Sequence, residues 1–121
     1  MDEGRVRPIR RMAIVSPAWA EFFEETGIPA AVRDGDIVYV TGHTGEEEDS
    51  TFSSDPEQQI RRTFINIAQT LAEAGTEWSE VVEITSFHVG LRRQAAALDR
   101  VTREFLAEPF PAWAAVGVTE L

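Results

Sequence analysis

Apolar and polar positions alternate with two different periods along this chain, and the periods divide it into strands and helices. Met12 to Val15 is a short extended candidate. Ala18 to Thr26, with Trp19, Phe22 and Phe23 apolar, has the composition of a short helix. Ala30-Ala31-Val32-Arg33 and Ile37 to Thr41 flank Asp34-Gly35-Asp36. An Asp-Gly pair between two extended runs marks a hairpin, because glycine takes the positive φ the turn needs. Asp55 is placed to cap a helix, Pro56 suits its first position, and Glu57 suits the positive end of the helix dipole. Ile60, Phe64, Ile67, Ala68 and Leu71 then recur at helical spacing, and Gly75 closes the element.

Val81 to Val89 is rich in β-branched residues and reads as a strand. Val82, Ile84, Ser86 and His88 share one face; Val81, Glu83, Thr85, Phe87 and Val89 share the other. Apolar residues on both faces predict a strand covered on both sides. Arg92 to Leu106 is a second long helix, with Ala95, Leu98, Val101, Thr102 and Phe105 on one side, and Pro109 and Pro111 stop it. Ala114 to Thr119 is the last strand. The surest elements run β-β-α-β-α-β. Helical crossovers favour parallel pairing, so the expected fold is α+β, a mixed β-sheet with two helices packed on one face. The opposite face would be bare and apolar, and another subunit is the natural cover.

Length and composition narrow the possibilities. The chain has 121 residues, the size of one domain over 1–121, and a domain this size buries roughly two-thirds of its unfolded surface. With no cysteine, disulfides, thiolate catalysis and cysteine-ligated metals are excluded. All eleven basic residues are arginines; with no lysine, Schiff-base chemistry is excluded too. The net charge of −10 opposes binding to a phosphate backbone. Arg5, Arg7, Arg10 and Arg11 give residues 1–11 an arginine-rich character, read as a solvated terminus rather than an interaction arm. The acidic run Glu46 to Asp49 reads as a solvated loop, with no histidine to make it a metal site. No run approaches the ~20 apolar residues of a membrane span, and no secretory h-region is present. A cytoplasmic protein is expected.

Several segments, in order and spacing, resemble the RidA-like (YjgF-type) family from about Ile28 onward. They are Ala31-Val32-Arg33 before Gly35-Asp36, Val38 to Gly42, Gln59 to Gly75, Val81 to Phe87, and Phe110-Pro111-Ala112. Within it the chain is similar to a subgroup with Thr-Ser-Phe-His (Thr85 to His88) and Trp-x-Ala-Val-Gly-Val (Trp113 to Val118). The resemblance implies a chorismate-mutase-like fold and a homotrimer, sheets inward and helices outward, with small-molecule clefts between subunits. It implies no cofactor; separately, His43 and His88, the only histidines, are too few and too dispersed for a metal site. Deaminating members hydrolyse enamines or imines, gripping the substrate carboxylate with an arginine.

That arginine's place holds Trp113. Ile28 replaces a tyrosine, Arg92 stands where many members have asparagine, and Ala115 where cysteine is common. The family's water-positioning glutamate lies on a final strand that would follow Leu121; that strand is absent from this sequence. The candidate ligand contacts carried over are Thr41, Gly42, His43, Phe87, Arg92, Trp113 and Ala115. Trp113 with Phe87 would favour a ring or apolar group, or Trp113 fills space at the subunit interface. Arg92 is a substitute cation or a solvent-facing residue beside Arg93. His43 follows a strand at a plausible cleft edge, while His88 reads as structural. Ser86 lacks a nucleophile-elbow context. The expected function is binding of a small metabolite. The alternative is an enamine/imine deaminase with a non-standard site; a ribonuclease, a historical label in the family, fits the charge poorly.

Overall fold

The computed structural model describes residues 7–121; of the arginine-rich terminus, Arg5 lies outside them. The chain runs β1 (Met12–Ile14), a 3₁₀ turn (Pro17–Trp19), α1 (Ala20–Thr26), β2 (Ala31–Asp34), β3 (Ile37–Val40) and α2 (Pro56–Glu73). A second 3₁₀ turn (Trp78–Glu80), β4 (Glu83–Val89), α3 (Leu91–Phe105) and β5 (Ala112–Val118) follow. The mixed α+β class stands, and the weak candidates at Met12 and Ala18 are real elements. β4 starts at Glu83, two residues later than expected, because Val81 closes the Trp78–Glu80 turn by donating its N–H to the Trp78 carbonyl at 3.1 Å.

The strands form two ladders. β1, β2 and β3 are antiparallel in that order, and β4 pairs with β5 in parallel across the α3 crossover. One continuous sheet was expected; instead β3 bonds only to β2, and β4 only to β5. The hairpin forms as its Asp-Gly pair dictates, with Gly35 at φ 61°.

Each ladder lays one face against the helices. Ile14, Ala31 and Val38 pack with Ala74 at the end of α2, where the Arg33 guanidinium donates to the Ala74 carbonyl. That bond meets one of the carbonyls a helix C-terminus leaves open. On the second ladder, Ile84 and Trp113 pack under Ile60 and Phe64 of α2 and Leu98, Val101 and Phe105 of α3. Val101 is 0 % exposed. The N-terminus of α2 is capped as its sequence requires: the Asp55 carboxylate accepts from the Glu57 amide at 3.1 Å. Arg61 grips Glu104 through two nitrogens at 2.8 and 2.7 Å, and Arg100 grips Glu57, fastening α2 to α3.

The opposite faces are bare, as expected of a sheet with helices on one side only. Ile37 and Tyr39 are 55 % and 59 % exposed, and Phe87 is 55 % exposed. Val89 and Val116 continue the patch.

His43 corrects an expectation. It was a candidate ligand contact, but both ring nitrogens are committed inside the fold. Nδ1–H donates to the Thr41 carbonyl at 2.6 Å, and Nε2 accepts from the Thr70 hydroxyl at 2.8 Å. Its ring lies 4.7 Å from that of Trp19. His43 thus ties the end of β3 to α2 and the turn before α1.

Two outcomes follow from this packing. Phe64→Ala should cost about 3–5 kcal/mol of stability by chemical denaturation, the usual cost of emptying an aromatic site in a core. Burial holds the His43 pKa below its ordinary 6.5, partly offset by the Thr41 carbonyl. The unfolded chain therefore takes up a proton before the folded one does. The His43 contribution is complete above pH 6.5 and falls away as pH drops through the lowered folded value. His43→Gln should flatten this part of the stability–pH curve; a mutant curve as steep as wild type would contradict the assignment.

Candidate ligand cleft

The parity of the β4–β5 ladder decides which side chains can meet. Side chains alternate faces along a strand, and partners in register share a face. Ile84 pairs with Trp113, Ser86 with Ala115 and His88 with Gly117. These six face the helices. Thr85 with Ala114, Phe87 with Val116 and Val89 with Val118 face the other way.

Phe87 and Trp113 therefore lie on opposite faces of the ladder, so a cleft lined by both would need more than one subunit. Phe87 belongs to the bare apolar face. Trp113 is half-buried beneath α2, its ring centroid 6.3 Å from that of Phe64. Its indole N–H donates to the Ser86 hydroxyl at 2.9 Å. Indole has no other polar atom, so Trp113 has nothing left to offer a carboxylate.

Ser86 is shared. His88 Nε2 lies 2.8 Å from the same hydroxyl, and His88 Nδ1 lies 3.4 Å from the Gln94 side-chain oxygen. The Gln94 amide donates in turn to the Val89 carbonyl at 2.7 Å. His88 is 8 % exposed. It is structural, as expected, in the sense that both nitrogens have partners.

Along β5 the helix-facing side chains shrink from Trp113 through Ala115 to Gly117. Where they vanish, an open cavity of about 410 Å³ lies against the start of α3, lined by Gly90, Leu91, Arg92, Arg93 and Gly117. Gly90 holds φ 78°, which turns the chain from β4 directly into α3 and suits glycine. The Arg93 guanidinium folds over it; a Cβ on Gly90 would stand 2.6 Å from a guanidinium nitrogen. Arg92 and Arg93 are both exposed. Among the described residues neither has an acidic partner within salt-bridge distance, in contrast to the helix arginines Arg61, Arg62, Arg100 and Arg103; Arg7, Arg10, Arg11 and Arg33 have none either.

The remaining candidates lie on the other ladder, at the end of β3. The Thr41 hydroxyl donates to the Pro29 carbonyl at 2.7 Å, leaving its oxygen only as an acceptor. Gly42 is exposed and His43 is committed as described. The structure thus sets Trp113 and Ala115 on one face, leading to the cavity that Arg92 borders. It places Phe87 behind them and Thr41, Gly42 and His43 on a separate ladder. Ser86, Gln94, Arg93 and Gly117 were missed as members of this region. The two-residue spacings 84-86-88 and 113-115-117 carried the signal, but only the register shows that the two sets face each other.

With this geometry in view, the relatives are informative. The endoribonuclease L-PSP family model matches residues 22–121. The chain is 38 % identical over 114 residues to the RutC family protein YjgH of Escherichia coli, covering 93 % of this chain and 87 % of that one. It is 29 % identical over 93 residues to the 2-iminobutanoate/2-iminopropanoate deaminase of Dermatophagoides farinae, covering 75 % and 72 %. A solved structure described as protein YJGH superposes with a TM-score of 0.83 at 37 % identity, over 93 % of this chain and 88 % of that one. The chain belongs to the endoribonuclease L-PSP family, the RidA-like (YjgF-type) family that its motifs resemble.

Proposed function

We propose that this protein binds a small carboxylate-bearing metabolite, as a homotrimer, in clefts completed between subunits. The observation that carries the reading is the pair Arg92 and Arg93, which have no acidic partner among the described residues, beside the cavity lined by Gly117. A guanidinium takes a carboxylate through two parallel charge-assisted bonds. Trp113 stands in the strand position where deaminating relatives place that cation, but its N–H is spent on Ser86. Arg92 supplies the charge from the adjoining helix start instead. Thr41, Gly42 and Ala115 are further contacts in this reading.

The bare apolar face supports the trimer. Ile37 and Tyr39 on one ladder and Phe87, Val89 and Val116 on the other are large apolar side chains left exposed, and further copies of this chain would cover them.

A deaminase is the second reading, favoured by the likeness to a relative named as an imine deaminase. The chemistry would be hydrolysis of the C=N bond, water adding to carbon and ammonia leaving. A ribonuclease is disfavoured despite the family name. The charge is −10, no lysine is present, and His43 and His88 are both bonded internally.

Light scattering should give three copies per particle, and Phe87→Asp should yield smaller species; a wild-type monomer would contradict the assembly. Arg92→Ala should weaken calorimetric binding of 2-oxobutanoate by about tenfold or more, the value of a lost charge-assisted bond. With 2-iminobutanoate generated in situ, hydrolysis should be at least about thirtyfold slower than by a deaminating relative, because a buried charge partner is missing. Trp113→Arg should narrow that gap. Turnover by the unmodified protein equal to the relative's would replace the binding reading with the deaminase.

A further inference from the structure

Two glycines line the cavity beside Arg92 and Arg93, and the backbone requires only one of them. Gly90 holds φ 78° and lies against the Arg93 guanidinium, so a side chain there would be both strained and obstructed. Gly117 is different. It lies within the regular β4–β5 ladder, in register with His88, and its φ is outside the left-handed region. A Cβ on Gly117 would meet the Leu91 Cβ at 3.7 Å, an ordinary van der Waals distance. Beyond its chain neighbours it would meet no other atom within 4 Å. The fold therefore accepts alanine at this position. Glycine inside a strand gives away stability relative to alanine, because it has more freedom to lose and no side chain to pack. What the glycine supplies is space: Leu91 and Gly117 line the same cavity, and a methyl on Gly117 would stand in it against Leu91.

We propose that Gly117 sets the ligand specificity of this cleft, its missing Cβ leaving room beside Leu91 for the aliphatic chain of a carboxylate held by Arg92 and Arg93. The inference rests on the carboxylate-binding reading above and adds the other end of the ligand. The Leu91 side chain offers only carbon, while Arg92 and Arg93, the next two residues, offer guanidinium groups. A ligand with a carboxylate at one end and a short, straight, uncharged chain at the other matches that division. A second charge at the far end would lose water against Leu91 and gain no partner there. The class is thus a short straight-chain monocarboxylate. Gly117 acts through the room it leaves and takes no part in charge recognition.

The test is calorimetric titration of the wild-type protein and Gly117→Ala with pyruvate, 2-oxobutanoate and 2-oxopentanoate, alongside thermal unfolding of both proteins. Wild-type affinity should rise about fourfold with each added methylene, the value of burying one such group. Gly117→Ala should bind pyruvate much as wild type does, lose most of that rise, and unfold at the same temperature or higher. 2-Oxopentanedioate, equal in length to 2-oxopentanoate but with a second carboxylate, should bind more weakly than it to wild type. An equal rise in the two proteins overturns the proposal, and so does a Gly117→Ala protein that weakens all three acids alike. Earlier unfolding of Gly117→Ala would make the glycine a requirement of the fold and overturn it too. Tighter binding of 2-oxopentanedioate overturns the monocarboxylate class. Wild-type binding with no rise along the series overturns this inference alone; no binding of any of the acids overturns the carboxylate reading together with it.

Discussion

The indole-to-hydroxyl bond between Trp113 and Ser86 is the interaction on which the site depends. It spans the parallel ladder diagonally, under the helix layer, and consumes the only polar atom of the Trp113 side chain. The bond gives the half-buried indole N–H an acceptor on the neighbouring strand, where the loss of that partner would cost free energy. Ser86 is that acceptor, and His88 and Gln94 complete its network. Trp113 is thus one member of a connected set that joins the Thr85–His88 and Trp113–Val118 segments.

Much of the fold is legible in the sequence because its signals are local. Asp55, Pro56 and the apolar stripe from Ile60 to Leu71 define α2 within a residue or two of its observed ends. The Asp34-Gly35 hairpin follows from turn chemistry alone. Membership of the RidA-like family was legible too, since it rests on ordered segments spread along the chain.

The cleft was less legible, because it depends on register and on side-chain commitment. Nothing in the strand from Glu83 to Val89 says which of its faces meets the helices when both carry apolar residues. Only pairing with Ala112–Val118 shows that Trp113 looks toward Ser86 and away from Phe87. His43 has the same lesson. Its position after a strand suggests a ligand contact, but Thr70, one helix away and 27 residues later, takes its free nitrogen. The division into two ladders was also unexpected, since local patterns predict strands but not which strands share hydrogen bonds.

In the proposed function one surface serves assembly and another binds ligand, on opposite faces of the same two strands. Phe87, Val89 and Val116 lie on the exposed face, while Ser86, His88 and Trp113 lie on the helix-facing side, the side of Gly117 and the cavity that Arg92 and Arg93 border. The crystal structure of the protein soaked with 2-oxobutanoate tests this division most directly. The carboxylate should lie against the Arg92 and Arg93 guanidinium groups over Gly117, with the Trp113–Ser86 bond intact. A carboxylate bound to the Trp113 indole N–H with that bond broken, or one seated away from both arginines, would contradict it.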